Sequence, residues 1–373
     1  MTTAGPETAG VVYVMSNQDT GNSVTVFNRA ADGGLTRVKT FPTGGVGAGN
    51  SINSQIDPLT SQGSLALSGD RRFLFAVDAG SNEISVLAVM DETLEVVDRM
   101  GSQGIRPISV TVHDNLLYVL NHDDSTIAGF SVANNGKLTA LAATATPLEG
   151  TNTDPAQVSF TPSGTQLVVT EKATSVIDVF AVDGSGHVGP PMKNNSNGQV
   201  PFGFTFAGQD LLIVSEASNA ASSYRIEKDG SLTVVSGSVP TEEDAACWAV
   251  VNSTADPRFA YVSNAVSGSI TGYRIDPTGT LSRLNRDGHT GVTRDSHAAL
   301  DSAVSSDGSF LYVLTGGFNV QSDQAVPCNK MIISAFRIEA DGSLDALPGF
   351  GTADNDPGPA QGLAPGSTGI VAF

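Results

Sequence analysis

Two carboxylates in this chain of 373 residues break a repeated pattern: Glu171, in Val169-Thr170-Glu171-Lys172, and Glu216, in Val214-Ser215-Glu216-Ala217. Each closes a short apolar run. In five other copies of the pattern the closing residue is short and polar, namely Asn17, Asp78, Asn121, Asn264 and Thr315. A short side chain there can bond its own backbone and start a turn, which Glu does poorly. Two carboxylates near each other can divide acid–base work, one holding its proton while the other stays charged. Solvated carboxylates on a rim account for the same two residues equally well. Arg106 and Lys172 suit a substrate carboxylate or a developing oxyanion, and His122 and His297 are placed to shuttle protons on the same side as Asp301. Gln62 and Gln157 add amide donors there. Phe202 and the single tryptophan, Trp248, offer an aromatic wall for a ring-shaped ligand, with core packing as the alternative. Cys247, beside Trp248 in an acidic chain, is expected to pack rather than to form a thiolate.

The elements that must position these groups follow from the repeat. One copy reads Tyr118-Val119-Leu120-Asn121, a turn, Ile127-Ala128-Gly129-Phe130, then Gly136-Lys137-Leu138. Seven such copies recur about every 50 residues, a period of propellers and solenoids. A further apolar run, such as Val158-Ser159-Phe160, precedes each closing residue and is expected to be the innermost strand, so each copy predicts four antiparallel strands. The fold class expected is all-β, a seven-bladed β-propeller forming a single domain over residues 1–373, with 1–10 as a loose tail. The first copy lacks an innermost strand and Gly369-Ile370-Val371-Ala372-Phe373 is left over, so the C-terminal strand is expected to complete blade 1. Alternating strand direction puts the inner-strand starts and the turns after the closing residues on one face, called the upper face here. Two insertions, Gly44 to Thr60 and Gly316 to Lys330, are expected there as a lid or as plain loops.

Composition narrows the partners. The formal net charge is −19, which repels phosphate backbones and anionic membranes, so nucleic acid and membrane are not expected. No apolar stretch is long enough to span a bilayer, and the start lacks the pattern of an export signal, although a trimmed precursor would look the same. Two cysteines, Cys247 and Cys328, are expected as free thiols. A monomer acting on a small molecule, without a cofactor, is the expectation.

The chain resembles the lactonase-type seven-bladed β-propellers, the group with bacterial 6-phosphogluconolactonase and fungal carboxymuconate cyclase. The resemblance covers nearly the whole chain. It is carried by Asp57-Pro58-Leu59 with Ser61-Gln62-Gly63, Pro155-Ala156-Gln157-Val158, the two Glu-bearing segments, Pro201-Phe202-Gly203-Phe204 and Ala246-Cys247-Trp248. Better-known members carry a Pro-His segment where this chain has Pro155-Ala156-Gln157. The resemblance implies opening, or closing, of a cyclic ester or a related carboxylate at the upper channel mouth. Glu171 or Glu216 is then the base, Arg106 and Gln157 the donors to the carbonyl oxygen, and His297 or His122 the acid, while Gln62, His122, Lys172, Phe202, Trp248 and Asp301 bind substrate. Two other readings stay open: a calcium-dependent hydrolase using Glu171, Glu216, Asn121 and Asp301, and a propeller that only binds a ligand or protein.

Overall fold

The computed structural model describes residues 8–49, 57–148, 150, 152–253, 255–293, 297–319, 328–350 and 363–373. The runs that close on the polar residue, such as Phe73–Asp78, Leu211–Glu216 and Phe259–Asn264, are buried along their whole length. A strand that is apolar on both faces needs cover on both sides, and here the neighbouring blades supply it. The outer strands tell the opposite story: Thr93–Gly101 has one buried residue among its nine.

Seven antiparallel sheets form the ring. The innermost strands are Leu65–Leu67 in blade 2, Pro107–His113, Pro155–Phe160, Pro201–Ala207, Ala246–Val251 and His297–Val304 in blades 3 to 7, and Thr368–Ala372 in blade 1. Thr368–Ala372 pairs with Thr8–Met15, with Val12 opposite Ala372 and Tyr13 opposite Val371. The first and last strands therefore share blade 1, as the leftover strand predicts. Thr8–Gly10 belong to the first strand of this sheet, and the remainder of the expected tail, residues 1–7, lies outside the described residues.

The recurring Gly turns pack blade on blade. Gly33 has φ +90°, a left-handed conformation, and a Cβ there would run into the Phe310 ring of blade 7. Its carbonyl accepts the Tyr312 hydroxyl at 2.8 Å, which joins blade 7 to blade 1.

The described residues of the second insertion, 316–319 and 328–330, lengthen the hairpin of blade 7. Strands Phe310–Asn319 and Cys328–Ile338 extend past Thr315, with Gly317 opposite Cys328, and residues 320–327, where a lid was expected, lie outside the described residues. Among the described residues no helix is long and apolar enough to cross a membrane.

Candidate functional site

Several closing residues reach the linker or the neighbouring strands of their blade. Asp78 accepts Asn22 Nδ2 and Thr43 Oγ1, both at 2.8 Å, and the Ser85 hydroxyl. Thr43 lies in the linker arriving from blade 1, so Asp78 clasps that linker to blade 2. Glu216 does the same in blade 5. It is fully buried and accepts the Gly198 N–H at 3.0 Å, the Ser238 hydroxyl at 2.7 Å and the Ser222 hydroxyl. Its extra length reaches the linker and two neighbouring strands at once. Asn264 pairs with Thr271 at 2.9 Å in the equivalent diagonal. Glu171 is also buried; Thr174 donates to its Oε2, while Oε1 has no hydrogen-bond partner. Both carboxylates are buried, Glu216 on donors from the linker and two strands of its blade and Glu171 on Thr174 of its own turn, which corrects the expected catalytic pair.

The decisive departure from the repeat lies one residue further on. The residues after the closing positions in blades 3 to 6 are His122, Lys172, Ala217 and Ala265. Their N–H groups bond the carbonyls of Arg106, Asp154, Val200 and Ala245 at 2.9, 3.1, 2.9 and 2.8 Å. All four acceptors are left-handed, with φ of 58°, 47°, 57° and 60°. Non-glycine residues held in this region concentrate at functional sites. The same frame thus carries apolar Val200 with Ala217 and Ala245 with Ala265, but Arg106 with His122 and Asp154 with Lys172. Inner strands in these blades also start on a register shift, for example between Pro155 and Gln157, which explains why the register there is hard to read from sequence.

These charged groups interlock. His122 Nε2 lies 2.8 Å from Asp154 Oδ1, and the same oxygen is 3.2 Å from Lys172 Nζ. On the other side of the imidazole, Nδ1 faces Arg106 Nη2 and, at 2.9 Å, Asp123 Oδ1. Arg106 Nε is 2.8 Å from Asp123. With a proton on Nε2 the ring donates to Asp154 and offers Nδ1 to the Arg106 donor, while Arg106 Nε binds the Asp123 oxygen that also approaches Nδ1. Burial would raise Asp154, but His122 and Lys172 more than reverse this and hold it at about 2. Arg106, His122, Asp123 and Asp154 are all partly exposed, whereas Lys172 is buried.

The segment Asp57–Gln62 plugs the channel beneath them. Asp57 accepts the N–H groups of Leu59 and Ser61 at 2.9 and 3.0 Å, which curls the segment. Ser61 Oγ donates to Ile108 O in blade 3 at 2.8 Å, and Gln62 N to Ala156 O in blade 4 at 3.2 Å. Gln62 reaches blade 6, its amide exchanging two hydrogen bonds with Ala249 at 2.9 and 3.0 Å. Trp248 Nε1 donates to Ser61 O at 2.9 Å, with Phe202 edge-on to its ring at 5.1 Å. Gln62, Phe202 and Trp248 therefore support the plug from buried positions instead of forming an open wall. Gln157, expected as a donor to substrate, spends both ends of its amide on Phe204, at 2.7 and 3.1 Å. Burial pushes the Cys247 thiol up to about 12, in keeping with packing.

Asp301 is buried at the start of blade 7, and the Ser302 N–H donates to it at 2.9 Å. Burial and then the charge of Asp57 push it up to about 8, and burial pushes Asp57 up to about 6 against the donors from Leu59 and Ser61. A carboxyl raised above its unfolded value of about 3.9 stabilises the fold while protonated, and that stability is lost as pH rises through the folded value. Unfolding free energy should therefore fall from about pH 4 to pH 8 by up to about 1.4 kcal/mol per unit on account of Asp301. Asp301→Asn is expected to flatten this decline in urea melts at pH 5, 7 and 9; equal slopes in both proteins would contradict it.

Some expected groupings do not assemble. His297 has its backbone in an inner strand, and its side chain is outside what is described, as is that of Cys328. Among the described residues no group of three or more His, Cys, Asp or Glu is arranged to hold a metal ion, so the calcium set of Glu171, Glu216, Asn121 and Asp301 does not come together. Two grooves of about 290 and 410 Å³ open on the opposite face, between blades 2 and 3 and between blades 6 and 7, away from the charged cluster.

The family description "Lactonase, 7-bladed beta-propeller" matches residues 7–150 and 143–251. The chain belongs to this lactonase family. No curated protein matches it. Among solved structures it is similar to a putative 6-phosphogluconolactonase from Bacteroides uniformis, at 14% identity and TM-score 0.71 over 98% of this chain and 99% of that one. A putative 6-phosphogluconolactonase from Bacteroides fragilis gives 16% and 0.66 over 98% and 99%. A periplasmic gluconolactonase from Pseudomonas aeruginosa gives 16% and 0.69 over 97% and 99%. At such identities the likeness concerns the fold of this chain, and its site rests on its own residues.

Proposed function

We propose that this member of the lactonase family opens a small lactone ring at the upper mouth between blades 3 and 4. The observation that carries this is the replacement of the apolar frame of blades 5 and 6 by Arg106, His122, Asp154 and Lys172 at the same positions. Asp154 accepts the Nε2 proton of His122 and so leaves the Nδ1 lone pair as the base. When substrate enters, the Arg106 guanidinium turns from Nδ1 to the lactone carbonyl while Asp123 retains its Nε. A water then gives its proton to Nδ1 as its oxygen attacks the carbonyl carbon. Arg106 holds the oxyanion, the ring C–O bond breaks, and the proton on Nδ1 passes to the leaving alkoxide. The product is a hydroxy acid with all atoms of water incorporated.

The test is proton release from a panel of uncharged and anionic γ- and δ-lactones. The wild type is expected to open at least one member, and His122→Ala to lose roughly a hundredfold or more in kcat with its melting temperature retained. A wild type inert to the whole panel overturns the hydrolase and favours a binding propeller. A fully active His122→Ala overturns the assignment of the base.

A further inference from the structure

Burying an ammonium is expensive, and the fold does not require one at position 172, since Ala217 and Ala265 occupy that position in the next two blades. Lys172 is nonetheless 6% exposed and fully engaged. Its Nζ donates to Thr60 O at 2.8 Å and Thr60 Oγ1 at 3.2 Å, both in the plug. It also reaches Asp154 Oδ1 at 3.2 Å and lies over the Phe202 ring at 5.0 Å. Thr60 and Asp154 are both left-handed, at φ 49° and 47°, so the ammonium ties together two backbone positions that are costly to hold.

We infer that Lys172 is a positioning residue: anchored on the plug, it fixes the one oxygen of Asp154 that receives the Nε2 proton of His122. The inference rests on the His122 base proposed above but concerns a different group and has its own readout. Asp154 is partly exposed and sits in a loop, so an oxygen held only by His122 is free to swing away. The Lys172 contact pins that oxygen from below, and with it the tautomer that leaves Nδ1 unprotonated. Burial lowers the proton affinity of Lys172 from its ordinary value, while Asp154 and Asp57 counter this.

The experiment is 15N NMR of the histidine rings in the full chain, with His122 assigned by its absence in His122→Ala. In the wild type, Nδ1 and Nε2 of His122 are expected to show the widely separated shifts of a single Nε2–H tautomer. In Lys172→Met the two shifts should converge as both tautomers become populated, and in Lys172→Arg, which keeps a cationic donor, they should stay apart. In an Asp154→Asn background, Lys172→Met should add nothing, since the effect runs through that oxygen. With a lactone that the wild type opens, Lys172→Met should lose about tenfold in kcat with KM within about twofold, the sign of a group acting on the base and not on substrate binding. Should Lys172→Met fail to fold, Lys172→Gln is measured in the same way. Unchanged His122 shifts in a folded Lys172→Met or Lys172→Gln overturn the inference. Absence of lactone turnover leaves the NMR result standing and counts only against the hydrolase.

Discussion

Removal of Gly369–Phe373 is expected to lower the melting temperature by about 10 °C or more. These residues are the inner strand of blade 1, hydrogen-bonded to Thr8–Met15, with Val11 and Phe373 exchanging two backbone bonds at 3.0 Å. Truncation uncovers that strand edge, exposes apolar surface around Ile370, and takes away the Gly369 and Ile370 N–H groups that face Asp301. Burial of one large aliphatic side chain is worth about 1.5–3 kcal/mol, and each buried ladder group left unpaired costs about 1–3 more. The sum exceeds about 5 kcal/mol, and each kcal/mol shifts the midpoint of a domain this large by about 2 °C. Calorimetry of the full and shortened chains decides the matter. A midpoint within about 2 °C of the full chain would show that the ring does not depend on its last strand.

Glu216→Ala should cost about 3 kcal/mol in urea unfolding, and Glu216→Gln about 1. The alanine variant takes the acceptor from the Gly198 N–H and the Ser238 hydroxyl, both partly buried, and from the fully buried Ser222 hydroxyl. Glutamine keeps one acceptor and presents its amide to Ser238 Oγ, which can turn to accept. Turnover per folded molecule should be the same in all three proteins, because the carboxylate faces the linker and not the mouth. A stable alanine variant with turnover abolished would reverse this assignment and return Glu216 to acid–base chemistry.

The ring, its blade count and the strand that closes it were legible because strand periodicity and a repeat of about 50 residues are carried by every copy. The site was legible in part. Arg106, His122 and Lys172 come together in the charged cluster, but Glu216 attracted attention for a length that suits a clasp, and Glu171 is buried on Thr174 of its own turn. What hid the difference is that a closing strand leaves its last residue pointing into the blade, while the next residue is already on the upper face. The sequence holds that signal in the series Ala79, His122, Lys172, Ala217 and Ala265, and in Arg106-Pro107, Asp154-Pro155 and Val200-Pro201. Gln62, Gln157, Phe202 and Trp248 could not be sorted in advance. Whether an amide or ring near a channel meets substrate depends on its distant partners: Gln62 pairs with Ala249, Gln157 with Phe204, and Trp248 with Ser61.

These long-range bonds make the molecule a wheel with a spoke. A ring closed only along its rim can flex, since each blade tilts slightly on the next and the central opening widens or narrows with the sum of those tilts. Gln62 fixes the span from blade 2 to blade 6 through its paired bonds to Ala249, and Trp248 braces the same line through Ser61. The distance between these two blades is therefore held from inside the ring as well as along its rim.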